Sequence, residues 1–203
     1  MTASTMQHGE AANNELFVPS EAIFGTHGTS GTRATSIMAN GFETSYPGRV
    51  GFGSYFWFAE NEECEHAHKL ARQWHSFSER NQAYKDDDDR SCAVIAAKIV
   101  STAQETFNLE SPHCKAHVRR LLEAKFRLID TGNAEERDEC VCATYDAFIR
   151  LTEQNMGMPF KAVLCTVQLP KKFGLSDPVA GYTGNPYVVV ARDSTAIQIL
   201  SRS

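Results

Sequence analysis

No stretch of this sequence is apolar for long enough to cross a bilayer. The longest apolar runs, CAVIAAKIV (Cys92 to Val100) and KAVLCTVQL (Lys161 to Leu169), are strand-length and broken by polar residues, whereas a membrane helix needs ~20 apolar positions. The first twenty residues, MTASTMQHGEAANNELFVPS, lack both the basic segment and the apolar stretch of a secretory signal. The expectation is a cytoplasmic protein with no membrane partner. A surplus of basic charge is also missing. The 20 Lys and Arg against 25 Asp and Glu leave a net charge of −5, so no overall field draws the chain onto nucleic acid or an anionic membrane. Any nucleic-acid contact needs a local basic patch. Nor do the six cysteines, at 64, 92, 114, 140, 142 and 165, show the spacing of a disulfide framework. Cys92 and Cys165 fall inside expected buried strands, where a thiol behaves as a small hydrophobe, and reduced thiols are expected throughout.

What is present fits one domain. At 203 residues and 42% hydrophobic content the chain can bury a core without dividing; residues 1–20 read as a polar arm and residues 21–203 as the domain. There is no internal repeat. The only low-complexity segment is Asp86 to Asp89 within YKDDDDR, which resembles an epitope tag but sits mid-chain and reads as a solvated acidic loop. Hydrophobic spacing predicts strands over 22–27, 55–59, 92–100, 162–169, 187–191 and 196–200, the last two joined by the turn RDST. It predicts helices over 30–40, 61–74, 113–129 and 135–154. Ser30 reads as the N-cap of the first helix and Gly41 as its C-cap. Strands at both ends with helices between them argue for an α+β fold.

Two segments stand out for chemistry. THGTS, at the end of the first strand, places His27 in a Gly/Thr-rich turn ahead of a helix. That is either a turn whose small residues satisfy local geometry or a corner where backbone amides and an imidazole meet a ligand. GRVGFGSYFWFAEN, Gly48 to Asn61, is a glycine-spaced loop entering an aromatic strand. Its glycines allow close backbone approach. Strand alternation puts Tyr55 and Trp57 on one face and Phe56 and Phe58 on the other, so one pair can pack the core while the other lines a cleft.

Together these segments resemble the ADP-ribosyltransferases of the diphtheria-toxin and poly(ADP-ribose) polymerase type. His27, Gly28 and Thr29 match the family's first-strand motif; Ile37, Gly41 and Phe42 match its helix ending; Gly53, Tyr55 and Phe56 match its G-x-YF motif; NPYVVVARDSTAIQIL resembles its closing hairpin. The landmarks span roughly residues 22 to 200, while the middle helices match nothing in it. The YFW form is most similar to small bacterial members, including toxins of phage-defence systems. The resemblance implies a split, mostly antiparallel sheet with flanking helices, and NAD as co-substrate. It implies that His27 bonds a ribose hydroxyl, that Gly28 supplies backbone bonds to the nicotinamide amide, and that Tyr55 shapes the nicotinamide pocket, with Thr29 adding a hydroxyl. Imidazole and phenol are expected to meet across one cleft. Arg33 and Arg49 suit a pyrophosphate clamp, since a guanidinium fork matches phosphate oxygens; as single arginines near a turn they also read as solvated surface.

The third landmark departs from the family. Polymer-forming members place a glutamate at the start of the fifth strand; this chain offers Asn185, Pro186 or Tyr187. Asn185 and Tyr187 are taken as catalytic candidates, and the missing carboxylate points to single transfer to a macromolecular acceptor, protein or nucleic acid, rather than elongation. Asp177 and Asp193 substitute only if the fold returns them to the cleft. A neutralising antitoxin is the partner such a toxin implies. Two alternatives stand beside this reading: an NAD-dependent RNA 2′-phosphotransferase, which needs a basic cluster of which only Arg33 and Arg49 are visible, and a non-catalytic module binding ADP-ribose or nucleic acid. No metal is expected. Cys64 and His68 share a helix face from which His66 points away, His113 and His117 have the spacing of two ligands but lack a third, and Cys140 and Cys142 point apart. Trp57 and Trp74 read as core or rim. Lys115, Arg119, Arg120, Lys125 and Arg127 read as a solvated helix face rather than a phosphate-binding one.

Overall fold

The computed structural model describes residues 22–44, 47–125, 130, 133–169 and 184–203; the expected polar arm lies outside them. In chain order the described elements are β1 (Ala22–Ser30), α1 (Gly31–Asn40), β2 (Pro47–Gly48), β3 (Gly51–Phe52), β4 (Ser54–Ala59), α2 (Glu65–Arg80), β5 (Cys92–Val100), β6 (Thr106–Asn108), α3 (Pro112–Ala124), α4 (Ala134–Met156), β7 (Ala162–Thr166), β8 (Tyr187–Ala191) and β9 (Ile197–Arg202). Seven strands form one sheet in the order β6-β7-β8-β4-β1-β5-β9. Every pairing in it is antiparallel except β6 with β7. The fold is α+β, built on a mostly antiparallel sheet. β2 and β3 form a separate small hairpin.

Local chemistry sets the helix ends. Ser30 caps α1 through its side chain, and the Gly41 amide closes it on the Ile37 carbonyl with φ +82°, a conformation that favours glycine. Asn133 and Glu136 form a capping box at the start of α4, and Gly157 ends that helix in the left-handed region. α2 starts four residues later than its periodicity predicts, because residues 60–64 form a bend and turn, and runs on to Arg80.

Both faces of the sheet are packed. One face carries Phe24, Tyr55, Trp57, Val163, Cys165, Val188 and Val190 under α2, α3 and α4; the other carries Ile23, Phe56, Ile95, Leu164 and Val189 with Ala34 of α1 and Phe42. The aromatic alternation of β4 is as its period requires, with two cores rather than a core and an open cleft. Trp57 is core, and Trp74 lies at the rim beside it, with ring centroids 6.2 Å apart. Other expectations need correction. Cys92 is exposed as the first residue of β5, while Cys165 is buried. The closing strands are not a hairpin: β8 pairs with β4 and β7, β9 pairs with β5, and a short 3-10 turn at Ser194–Ala196 precedes β9.

Candidate active site

β1 bonds β5 along all nine residues but β4 only at Phe24, Gly25 and Thr26. Beyond Thr26 the two central strands part, and β4 continues its pairing with β8 alone, from Ser54 to Trp57. The backbone edge of β1 from His27 onward thus has no strand partner on that side.

His27 stands at the fork. Its Nδ1 lies 2.9 Å from the carbonyl oxygen of Tyr55. A carbonyl only accepts, so Nδ1 carries the proton and Nε2 keeps its lone pair in the neutral ring. Burial lowers the imidazole pKa, outweighing the Tyr55 hydrogen bond, and the nearby Arg33 charge lowers it further. The neutral tautomer is therefore the working form at pH 7. The ring packs edge-on against Phe42 at 5.3 Å and tilted against Phe56 at 5.9 Å. The GF that ends the α1 segment places that first partner: the turn at Gly41 delivers Phe42 to the sheet.

Tyr55 projects to the other face. Its hydroxyl donates to the Gly51 carbonyl at 2.7 Å and accepts from the Val50 amide at 3.0 Å, so the β2–β3 hairpin wraps the phenol. Gly48 permits this, since a Cβ there would meet the Tyr55 ring at 2.3 Å. Burial raises the phenol pKa well above its ordinary value. The expected meeting of imidazole and phenol across one cleft is corrected: the link between the two residues is ring to main chain, and their side chains lie on opposite faces of the sheet.

The remaining candidates are dispersed. Gly28 lies against α2, where a Cβ would come within 1.9 Å of the Ala71 carbonyl oxygen. Thr29 is buried. Arg33 is committed to the acidic loop: Nε bonds Asp87 at 3.0 Å, Nη2 donates to the Ala83 carbonyl, and the guanidinium lies 4.9 Å over the Tyr84 ring. Arg49 is exposed at the hairpin tip. Tyr187 is 49% exposed and shares the face of His27 by alternation with Val189. Its row in the sheet, level with Phe58, lies two residues from the row of His27, Phe56 and Val189, which amounts to roughly 7 Å along the strands and roughly 10 Å across two of them. Asn185 is exposed just ahead of it. Asp193 caps the 3-10 turn through Thr195 and does not reach the fork; Asp177 lies outside the described residues.

Sequence spacing missed Asp87. The DDDD run is not simply solvated. Asp87 accepts from Ser30 Oγ at 2.5 Å and from Arg33, while the Asp89 backbone exchanges hydrogen bonds with Thr32. Carboxylates at the N-terminal end of α1 complement the helix dipole. The only sequence hint was the coincidence of an acidic run with an N-cap followed by arginine, more than fifty positions apart. Among the described residues no group of three or more His, Cys, Asp or Glu side chains could hold a metal ion. His117 stacks on Phe148, and His68 bonds the Glu62 carbonyl. No protein-family model matches the chain, and neither a curated protein nor a solved structure matches it significantly.

Proposed function

We propose that the protein transfers one ADP-ribose unit from NAD to a macromolecular acceptor and releases nicotinamide. One observation carries this reading: β1 and β4 part at His27, where a neutral imidazole is oriented by the Tyr55 carbonyl. With Nδ1–H donated inward, Nε2 is an acceptor suited to a ribose hydroxyl, the role the family resemblance gives His27. The unpaired edge of β1 that follows offers amide and carbonyl groups to a carboxamide, the role it gives Gly28. Breaking the bond between ribose C1′ and nicotinamide leaves an oxocarbenium-like sugar, and transfer is favoured over hydrolysis where the dinucleotide is held oriented and water is excluded.

Among the described residues, the partners of the His27 ring are the Tyr55 carbonyl, Phe42 and Phe56, with no carboxylate bonded to it. The acceptor then supplies its own nucleophile, with or without a base, and one unit is transferred rather than a chain. Tyr187 is the side chain on the same face that could approach the acceptor. The commitment of Arg33 to Asp87 leaves Arg49 as the pyrophosphate candidate, which weakens the RNA 2′-phosphotransferase alternative. The internal hydrogen bonds of Tyr55 and Arg33 favour a second reading, a non-catalytic binder of ADP-ribose. A toxin role with a neutralising protein partner rests on the resemblance alone.

Incubation with NAD labelled in the adenylate and with cell extract, followed by separate protease and nuclease digestion, tests the reading. Label in a protease- or nuclease-sensitive fraction with nicotinamide released in equal amount is expected, and His27→Ala is expected to abolish both. Saturable ADP-ribose binding without nicotinamide release would replace the transferase by the binder.

A further inference from the structure

A cavity of about 380 Å³ lies away from the fork, between α3, α4 and the β6–β7 side of the sheet. It has room for about a dozen waters at ~30 Å³ each, and falls at the small end of ligand pockets, ~300–1,000 Å³. Its walls are Val50, Leu109, Val118, Leu122, Cys165 and the ring of Tyr145. The titratable groups in those walls are uncharged at neutral pH. Burial pushes the Cys165 thiol up to about 12 and raises the Tyr145 hydroxyl above its usual value.

The four charged side chains that line it are already matched within the protein. Lys115 pairs with Glu110 at 2.5 Å and Arg119 with Glu123 at 2.7 Å. An ionic ligand would find no unmatched charge among them and would surrender its own hydration. Glu110 is the polar feature. Its side chain is 14% exposed, with Oε1 fixed by the Thr166 amide at 2.8 Å and Oε2 by Lys115. A carboxylate offers about four lone-pair positions, so acceptor capacity remains beside an apolar wall.

We infer that this cavity binds an uncharged planar heteroaromatic molecule carrying an N–H donor, its ring against the apolar walls and its donor on the Glu110 carboxylate. The site is independent of the proposed transfer reaction. The four charged lining side chains are matched to one another and leave none for a pyrophosphate, and Val50 of the lining belongs to the hairpin around Tyr55, on the sheet face opposite His27.

Indole is the probe, followed by methyl NMR of the full chain. Saturable shifts at Val50, Leu109, Val118 and Leu122 are expected, with a Kd of about 1 mM or tighter for nine non-hydrogen atoms. Val118→Phe and Leu122→Phe, two independent ways of filling the space, should each weaken binding at least tenfold with the methyl spectrum of the sheet unchanged. 1-Methylindole, lacking the donor, and indole-3-acetate, bearing a charge, should each bind at least fivefold more weakly than indole. Absence of saturation in the wild-type protein, undiminished binding in both filled variants, or equal affinity for indole and either analogue overturns the inference.

Discussion

At the scale of single residues, the fork depends on one proton. Nδ1–H of His27 donates to Tyr55, and the ring is held neutral by burial, so charging it in the folded state is disfavoured. Its folded pKa lies below the unfolded value of ~6.5. In that interval the unfolded chain binds more protons than the folded one, so this contribution to stability is complete above pH ~6.5 and is lost as pH falls below it. His27→Gln removes the titration while keeping an amide donor. The loss of melting temperature it causes relative to wild type should be larger at pH 7.5 than at pH 5.5, and thermal melts at the two values check this; an equal loss at both would contradict a neutral imidazole. Asp87 supplies a second test. It satisfies both Ser30 and Arg33 from a half-buried position, and hydrogen bonds to charged groups contribute about 1.5–3 kcal/mol each. The Arg33 side chain is 43% exposed, so solvent screening discounts its share. Asp87→Ala is expected to destabilise the protein by about 1–2 kcal/mol in urea titrations.

At the scale of elements, two contacts decide whether the fork keeps its shape. α2 lies so close to β1 that no side chain fits at Gly28. Gly28→Ala must displace the Ala71 backbone, and overpacking of this kind costs about 1–3 kcal/mol, readable as a lowered urea midpoint. The motif glycine is thus required by packing whether or not its amide also meets a ligand. The β2–β3 hairpin is held on its other side by Arg192, which donates from Nη1 to the Phe52 carbonyl at 3.1 Å and to Asp146 at 3.0 Å. Asp146 and Arg192 are both largely buried. Arg192→Ala leaves the Asp146 carboxylate with Arg150 as its remaining ion-pair partner, and breaking a buried pair costs up to about 3–5 kcal/mol. A loss at the lower end of that range is expected from equilibrium unfolding, with Arg192→Lys recovering part of it.

At the scale of the whole molecule, strands and helices were legible where period and caps agreed. β5 and β8 fall on their predicted bounds, and Ser30 and Gly41 cap α1 as read. Pairing was not legible: nothing in NPYVVVARDSTAIQIL says that β8 and β9 lie on opposite sides of the central strands, because strand partners are chosen by the whole sheet and not by the turn between them. The site divides in the same way. His27 and Tyr55 could be found as motif residues, yet whether their side chains share a face depends on the register of β1 against β4, which a short antiparallel overlap fixes and sequence does not reveal. The commitment of Arg33 to Asp87 was hidden by a separation of 54 positions. That architecture also makes stability uneven. β1 sits between β4 and β5 in the middle of the sheet with cores on both faces, whereas the hairpin rests on a few side-chain attachments. Tyr55→Phe deletes the acceptor of the Val50 amide and the donor to the Gly51 carbonyl while keeping the ring against Gly48. Each hydrogen bond contributes about 1 kcal/mol, and 1.4 kcal/mol is a tenfold change in an opening equilibrium. With both bonds lost, native-state hydrogen exchange should therefore show Val50 exchanging about thirtyfold faster in the variant, with Ile95 and Val189 still opening only on global unfolding. Equal acceleration at all three would mean that the phenol is cemented into the core itself and that the hairpin has no opening of its own through which a ligand could reach the tyrosine face.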